Sequence, residues 1–203
     1  MSRLYTSKDE VEKYLLTNIK ASFNTQIDSW IESASKHVEQ VTNRWFIATE
    51  PQERYFDGKG GRTLEIDDAV QIDKVEEGSN FYGDSFNEVS EANGSRGYIK
   101  LPRDASEREV PYEQLYFRSG IWISGIQNHR VTAKWGYSTE PPEDITFATT
   151  VFVAGMINTA HKIKDDIQRE SIGNYQVTYA DKSQISDYQT AKSILGHYKK
   201  HYL

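Results

Sequence analysis

Cysteine is absent from this chain of 203 residues, which removes disulfides, thiolate catalysis and cysteine-based zinc sites together. Also missing is any apolar run of about 18 residues, the length a membrane-crossing helix needs. The segment Met1-Ser2-Arg3-Leu4-Tyr5-Thr6-Ser7 carries no apolar core of the secretory kind, so a soluble chain made without oxidative folding is expected. A basic surplus is lacking too: the formal net charge is −6, whereas generic nucleic-acid binding wants a basic face. Neither an internal repeat nor a low-complexity linker is found.

What is present is a globular composition on the polar side, 37% hydrophobic and 12% aromatic, long enough for one or two domains with a real core. The charge is uneven. From Glu65 to Arg96 nine carboxylates face Lys74 and Arg96, a local charge of −7, while from Lys182 to Leu203 four lysines face Asp187, a local charge of +3. An acidic middle and a basic tail suit self-assembly or docking on a charged partner, and equally suit two solvated surfaces.

Periodicity supplies the elements. Ser7-Lys8-Asp9-Glu10 has the capping-box form and predicts a short helix with Val11, Tyr14 and Leu15 inward. Ile27, Trp30, Ile31, Ala34, Val38, Val41 and Trp45 recur at spacings of three and four, predicting a helix capped by Thr25 and ending near Arg44 to Phe46. From Glu53 to Ser138 the period changes. Arg54 to Gly58 and Thr63 to Ile66 flank a Lys59-Gly60-Gly61 turn, and Val70, Ile72 and Val75 suggest another strand. Gly78 to Gly97 reads as a long loop or hairpin. Strands at 98–102, 114–117 and 130–135 complete a small antiparallel sheet. Ile145 to Ile163 is the third long helix, with Gly155 inside it at a cost of roughly 1 kcal/mol unless a neighbour needs close approach. A Gly173-Asn174 hairpin and a last helix from about Ser183 follow. The expected fold is α+β: a mainly helical bundle framework (residues 1–50 and 139–203) with an inserted small antiparallel β domain (51–138) and a β-hairpin before the C-terminal helix.

The search for chemistry ends empty. His197 and His201 are four apart, the spacing that lets two imidazoles share a metal, but no acid follows His197, and Lys199 and Lys200 favour a basic docking helix. Asp84, Asn87, Glu88 and Glu91 lack EF-hand spacing and read as a solvated acidic loop. Asp57 to Gly61 lacks the P-loop spacing. Asp67 and Asp68 are adjacent, so an extended chain would point them apart, which does not suit paired-carboxylate hydrolysis. No catalytic or metal residue emerges, no cofactor is implied, and a non-enzymatic role is expected.

The most particular wording is a strand-to-helix junction. Lys134-Trp135-Gly136-Tyr137-Ser138 closes a strand, and Pro141-Pro142-Glu143-Asp144-Ile145 opens a helix with proline in the first turn and acids at the positive end. With Glu170-Ser171-Ile172-Gly173-Asn174-Tyr175-Gln176-Val177-Thr178-Tyr179 one helix later, it resembles the tailed-bacteriophage head–tail connector proteins, also called adaptor or head-completion proteins. Thr42-Asn43-Arg44-Trp45-Phe46, Arg54-Tyr55-Phe56-Asp57-Gly58 and Leu64-x-Ile66-Asp67 agree in order, and the likeness covers nearly the whole chain outside Gly78 to Arg118. The chain departs from compact, mostly helical connectors in its β insertion.

The resemblance implies a virion protein of the phage neck, assembled in the host cytoplasm. It forms a homo-oligomeric ring, usually of twelve subunits, under the portal protein, extends the channel for double-stranded DNA without reading its sequence, and carries the next component, a stopper or tail-completion protein. No membrane is involved. Carried over, Tyr188, Leu195, Tyr198, Lys199, Lys200 and Tyr202 are portal-docking candidates. Ile172, Asn174, Tyr175, Val177 and Tyr179 are candidates for subunit or channel contacts, or for a hairpin covering its own core. Asp67, Asp68, Asp73, Glu76 and Glu77 are candidates for an acidic channel surface. Trp135 and Tyr137 read as core anchors, with interface work as the other reading. The rival functions are a stopper or tail-completion protein, and a ligand- or carbohydrate-binding module with Trp122 and Tyr116 as its platform.

Overall fold

The computed structural model describes residues 3–17, 19, 25–83, 85–92, 97–169 and 182–200. Two compact units appear: Met1–Arg44 with Pro141–Leu203, and Trp45–Glu140.

The first unit is helical. Among the described residues it holds α1 (Lys8–Leu15), α2 (Ile27–Thr42), α3 (Glu143–Arg169) and α4 (Lys182–Tyr198). Ser7 caps α1, its side chain accepting from the Glu10 N–H, while the Glu10 carboxylate takes the Lys13 ammonium at 2.8 Å. The expected Thr25 cap of α2 is not used; the helix starts one residue after Gln26, which makes no side-chain cap bond. Of its expected apolar stripe, Ile27, Ile31, Ala34 and Val38 are buried, Trp30 is half-buried and Val41 is exposed. Asn43, in the left-handed region at φ 54°, stops it, an asparagine being among the residues that tolerate this conformation. Trp45 therefore lies beyond the helix and half-exposed. In α3 the apolar positions Ile145, Ala148, Val153, Ala154 and Ile157 are buried, and the helix packs against α1, α2 and α4. Thr6 and Thr150 share a buried hydroxyl–hydroxyl bond of 2.6 Å.

The second unit, in its described residues, is a six-stranded antiparallel sheet: β1 (Gln52–Gly58), β2 (Thr63–Gly78), β3 (Phe86–Glu88), β4 (Tyr98–Leu101), β5 (Tyr112–Phe117) and β6 (Gly125–Trp135). The order is β1-β6-β2-β5-β4, with β3 paired to β2. One face buries Leu64, Ile72, Val75, Leu115, Trp122, Val131 and Trp135 in a continuous apolar cluster. This overturns the mainly helical bundle with a small β insertion. The fold is α+β with a sheet unit that has its own core. The physical reason lies in β2. It runs for 16 residues, but register shifts between Glu65 and Ala69, Ala69 and Gln71, and Ile72 and Lys74 break strict alternation, so period-two reading sees two short strands in place of one long one. The β-hairpin expected at 170–179 lies outside the described residues.

The junction residues fall as their chemistry asks. Gly136 has φ 154°, and a Cβ there would stand 2.6 Å from Ala48 Cα, so only glycine fits. Trp135 is fully buried, its indole N–H donating to Gln52 O at 2.7 Å. The Arg54 guanidinium stacks on Trp135 and on Trp45, 4.8 and 4.7 Å from their ring centres. On the other side of the break, the Pro142 carbonyl accepts the Thr146 N–H that opens α3.

Candidate functional site

The acidic stretch of β2 is largely occupied within its own unit. Glu76 is 5% exposed. Its carboxylate accepts from Arg130 Nε and Nη2 at 2.7 and 2.9 Å and from Lys74 Nζ at 2.8 Å. Cross-strand register places Glu76 opposite Arg130, on the face away from the apolar cluster, where the Arg130 guanidinium also lies 4.7 Å from the Phe86 ring centre. The Arg130 bonds hold Glu76 down at about 2, against the opposing pull of burial. The same pair raises Arg130 above its usual value. Asp67 pairs with Arg54. Asp68 is 6% exposed, and its backbone carbonyl accepts the Gly136 N–H. Asp73 is exposed and accepts from Gln71, and Glu77 accepts the Ile123 N–H at 2.7 Å.

That last bond belongs to a surface the sequence reading missed. The turn after β2 exposes Phe81 and Tyr82, the latter 76% accessible, and the approach to β6 exposes Ile121, Ile123 and Ile126. They are neighbours: Ile126 N–H donates to Phe81 O at 3.1 Å. The signal was an aromatic pair standing alone in a Gly-, Ser- and Asn-rich segment. Behind this patch sits His129, fully buried. Its Nε2 lies 3.0 Å from Ile123 O, its ring stands edge-on to Trp122, and its Nδ1 has no hydrogen-bond partner. Burial pushes its pKa down. Trp122 itself is 0% exposed, its N–H satisfied by Leu115 O at 3.0 Å, so it is a core residue and not a sugar platform.

In the helical unit, α4 divides its candidates. Leu195 is 1% exposed and belongs to the core. The Tyr198 hydroxyl donates to the Asp144 carboxylate at 2.9 Å, and Arg44 Nε donates to Tyr198 O at 2.6 Å. Lys200 N–H closes the end of α2 by donating to Thr42 O at 2.8 Å. Lys199 and His197 are exposed. Tyr188 is half in solvent, edge-on to Phe152 with ring centres 5.6 Å apart and with Lys192 Nζ 5.1 Å above its ring centre. It borders a groove of about 630 Å³ between α2, α3 and α4, floored by Ala34, Phe152 and Gly155 and walled by Trp30 and His37. Tyr202, His201, Ile172, Asn174, Tyr175, Val177 and Tyr179 lie outside the described residues.

Among the described residues no group of three or more His, Asp or Glu is placed to hold a metal, and no helix is long and apolar enough to cross a membrane. The described residues display an apolar patch on the sheet unit and an apolar groove on the helical unit.

No family model and no curated protein matches this sequence. Solved structures do. A chain from the neck of an empty GTA (gene transfer agent) particle, solved with C6 symmetry, superposes with TM-score 0.55 at 10% identity, covering 98% of this chain and 91% of that one. A chain from the neck of a native GTA particle with C12 symmetry gives TM-score 0.52 at 10% identity, covering 100% and 97%. At that identity the likeness is one of fold alone.

Proposed function

We propose that this chain is a structural component of a phage-type neck, a subunit of a ring beneath the portal that extends the DNA channel and carries the next neck or tail protein. The observation that supports it most is the end-to-end likeness in fold to chains from two particle necks. A ring subunit needs interaction surface and no reaction centre, and the described residues offer surface. Because the two necks were treated with six- and twelve-fold symmetry, a six-fold stopper-like ring is the second reading beside the twelve-fold adaptor.

In the proposed role, α4 and the tail dock on the portal through Tyr188, Lys199, Lys200 and Tyr202. Tyr198 and Leu195 position them from within, through Asp144 and the core. Ile172, Asn174, Tyr175, Val177 and Tyr179 contact the neighbouring subunit or the channel. Repulsion of DNA falls chiefly to the exposed carboxylates Glu65 and Asp73, with the half-buried Glu77 adding to it. Asp67 adds to that field, while Asp68 and Glu76 hold the sheet. Electron microscopy of the chain incubated with portal particles tests the reading. Twelve-fold density on the portal is expected, six-fold density favours the stopper, and a chain that never enters particles overturns both. Charge reversal at Glu65, Asp73 and Glu77 is expected to slow DNA ejection or weaken particles; unchanged particles would remove the channel assignment.

A further inference from the structure

The groove floored by Gly155 and the Phe81–Tyr82 turn are opposite in form, and no contact among the described residues accounts for either. A Cβ on Gly155 would meet no atom within 4 Å. The glycine, unfavourable in mid-helix, is thus not required by any packing within the described chain. It leaves the groove floor open for a close approach from outside. The turn is the reverse case, a projection held stiffly. Asn80 Oδ1 accepts the Tyr82 N–H at 3.0 Å, Gly83 N–H donates to Asn80 O and Ser79 N–H to Ser85 O, and the two rings stand edge-to-face at 5.2 Å. A fixed aromatic pair loses little freedom on docking.

Charge selects the pairing. Around the patch stand Asp57, whose carboxylate accepts the Gln127 N–H, Glu77, which accepts the Ile123 N–H, and Glu88, against Lys59. The groove is bordered by His37 and Tyr188, with the Lys192 ammonium above the latter ring. Two patches would repel, and so would two α4 helices, whereas patch and groove attract. From this complementarity we infer that the Phe81–Tyr82 turn of one copy seats in the α2–α3–α4 groove of a second copy. The contact is head-to-tail, the type that closes rings, and in that sense it rests on the ring reading. A volume of about 630 Å³ lies in the range of pockets that enclose ligands larger than two aromatic side chains.

The absence of cysteine makes a clean test. Full-length Ile126→Cys, beside the turn, and full-length Thr159→Cys, on the groove rim, are mixed and joined with a short bismaleimide at up to about 1 mM, enough to populate a contact as weak as about 1 mM. The expected product is an Ile126→Cys/Thr159→Cys dimer in several-fold excess over a control pairing exposed Ser106→Cys with Thr159→Cys. Yield should fall several-fold with Phe81→Ser/Tyr82→Ser, with Gly155→Trp filling the floor, and on raising salt from about 50 to about 500 mM, the melting curves of the variants staying in place. A yield no greater than control, or one indifferent to Gly155→Trp, overturns the inference. Rings seen by electron microscopy without this crosslink would remove the docking mode and leave the ring; neither ring nor crosslink would remove both.

Discussion

Two glycines mark the difference between the two units. In the sheet unit, a Cβ on Gly58 would lie 1.8 Å from Ile123 O and 2.5 Å from His129 Nε2. In the helical unit, a Cβ on Gly155 would touch none of the described residues. The first glycine is demanded by the chain's own packing and the second is not. The same contrast runs through their polar groups: Glu76, Asp67, Asn128 and the Trp135 N–H are all engaged inside the sheet unit, while Tyr188 and the groove beside it face outward. Apart from its Phe81–Tyr82 turn, the sheet unit spends its close contacts on keeping a shape, while the helical unit keeps an open apolar groove. Substitutions at the internal contacts of the sheet should therefore act on stability, and those at the groove or the turn on assembly.

The largest effect is expected from Trp135→Ala. It removes a fully buried indole, its bond to Gln52 O, one stacking partner of Arg54 and the ring packed on Phe56. The expected loss is about 3–5 kcal/mol, read as a shifted urea midpoint. A loss below about 1 kcal/mol would mean that the sheet core is looser than its packing suggests.

Arg130→Met comes next. It strands the Glu76 carboxylate in a nearly buried position with Lys74 alone, for about 3 kcal/mol. Because the folded pKa of Glu76 is depressed to about 2, its contribution is full above the unfolded value of about 4.3 and is lost as pH falls from there toward 2. The wild type should lose stability in that window and Arg130→Met should lose less, as tracked by melting curves at stepped pH. Gly58→Ala follows, at about 1–3 kcal/mol for forcing a methyl group into backbone; a neutral result would show that the Ile123 loop yields freely.

Histidine 129 gives a milder test of the same unit. Buried and neutral, with Nδ1 unpartnered, it has a folded pKa below its unfolded value of about 6.5. The unfolded chain then binds the extra proton, so stability declines as pH drops below about 6.5. Among charged groups near it, Glu77 acts in the opposite direction. His129→Gln should flatten the melting-temperature slope between about pH 7 and 5.5; an unchanged slope would assign it to other groups.

How much of this was legible beforehand follows from which forces are local. The α2 stripe could be read because Ile27, Ile31, Ala34 and Val38 bury one face of one continuous helix. The α3 start was legible in Pro141-Pro142-Glu143-Asp144 because helix ends are governed by backbone groups a few residues away. The size of the sheet was not, since bulges in β2 scramble the very alternation that reveals a strand. Nor was the Glu76–Arg130 pair, whose members are 54 positions apart and meet only through strand register. Asp68, a candidate for an acidic channel surface by sequence, is buried by its place in β2. The Phe81–Tyr82 projection was hidden by its polar neighbours, which imply a loop without saying that its tip is aromatic.

The smallest effect is the one that tests the contrast itself. Gly155→Ala should raise stability by up to about 1 kcal/mol, the intrinsic difference between the two residues in a helix interior, because the new methyl group meets no neighbour and the Thr159 hydroxyl keeps its 2.8 Å bond to the carbonyl of residue 155. At the same time the methyl group rises from the groove floor, so the crosslink between Ile126→Cys and Thr159→Cys should weaken. A variant that is more stable yet assembles less would show a glycine kept for a partner at the expense of the fold. If Gly155→Ala instead lowers the melting temperature, the chain itself needs that glycine, and the distinction drawn from Gly58 and Gly155 fails. If it raises stability and leaves the crosslink untouched, the groove floor lies beyond the reach of whatever docks there.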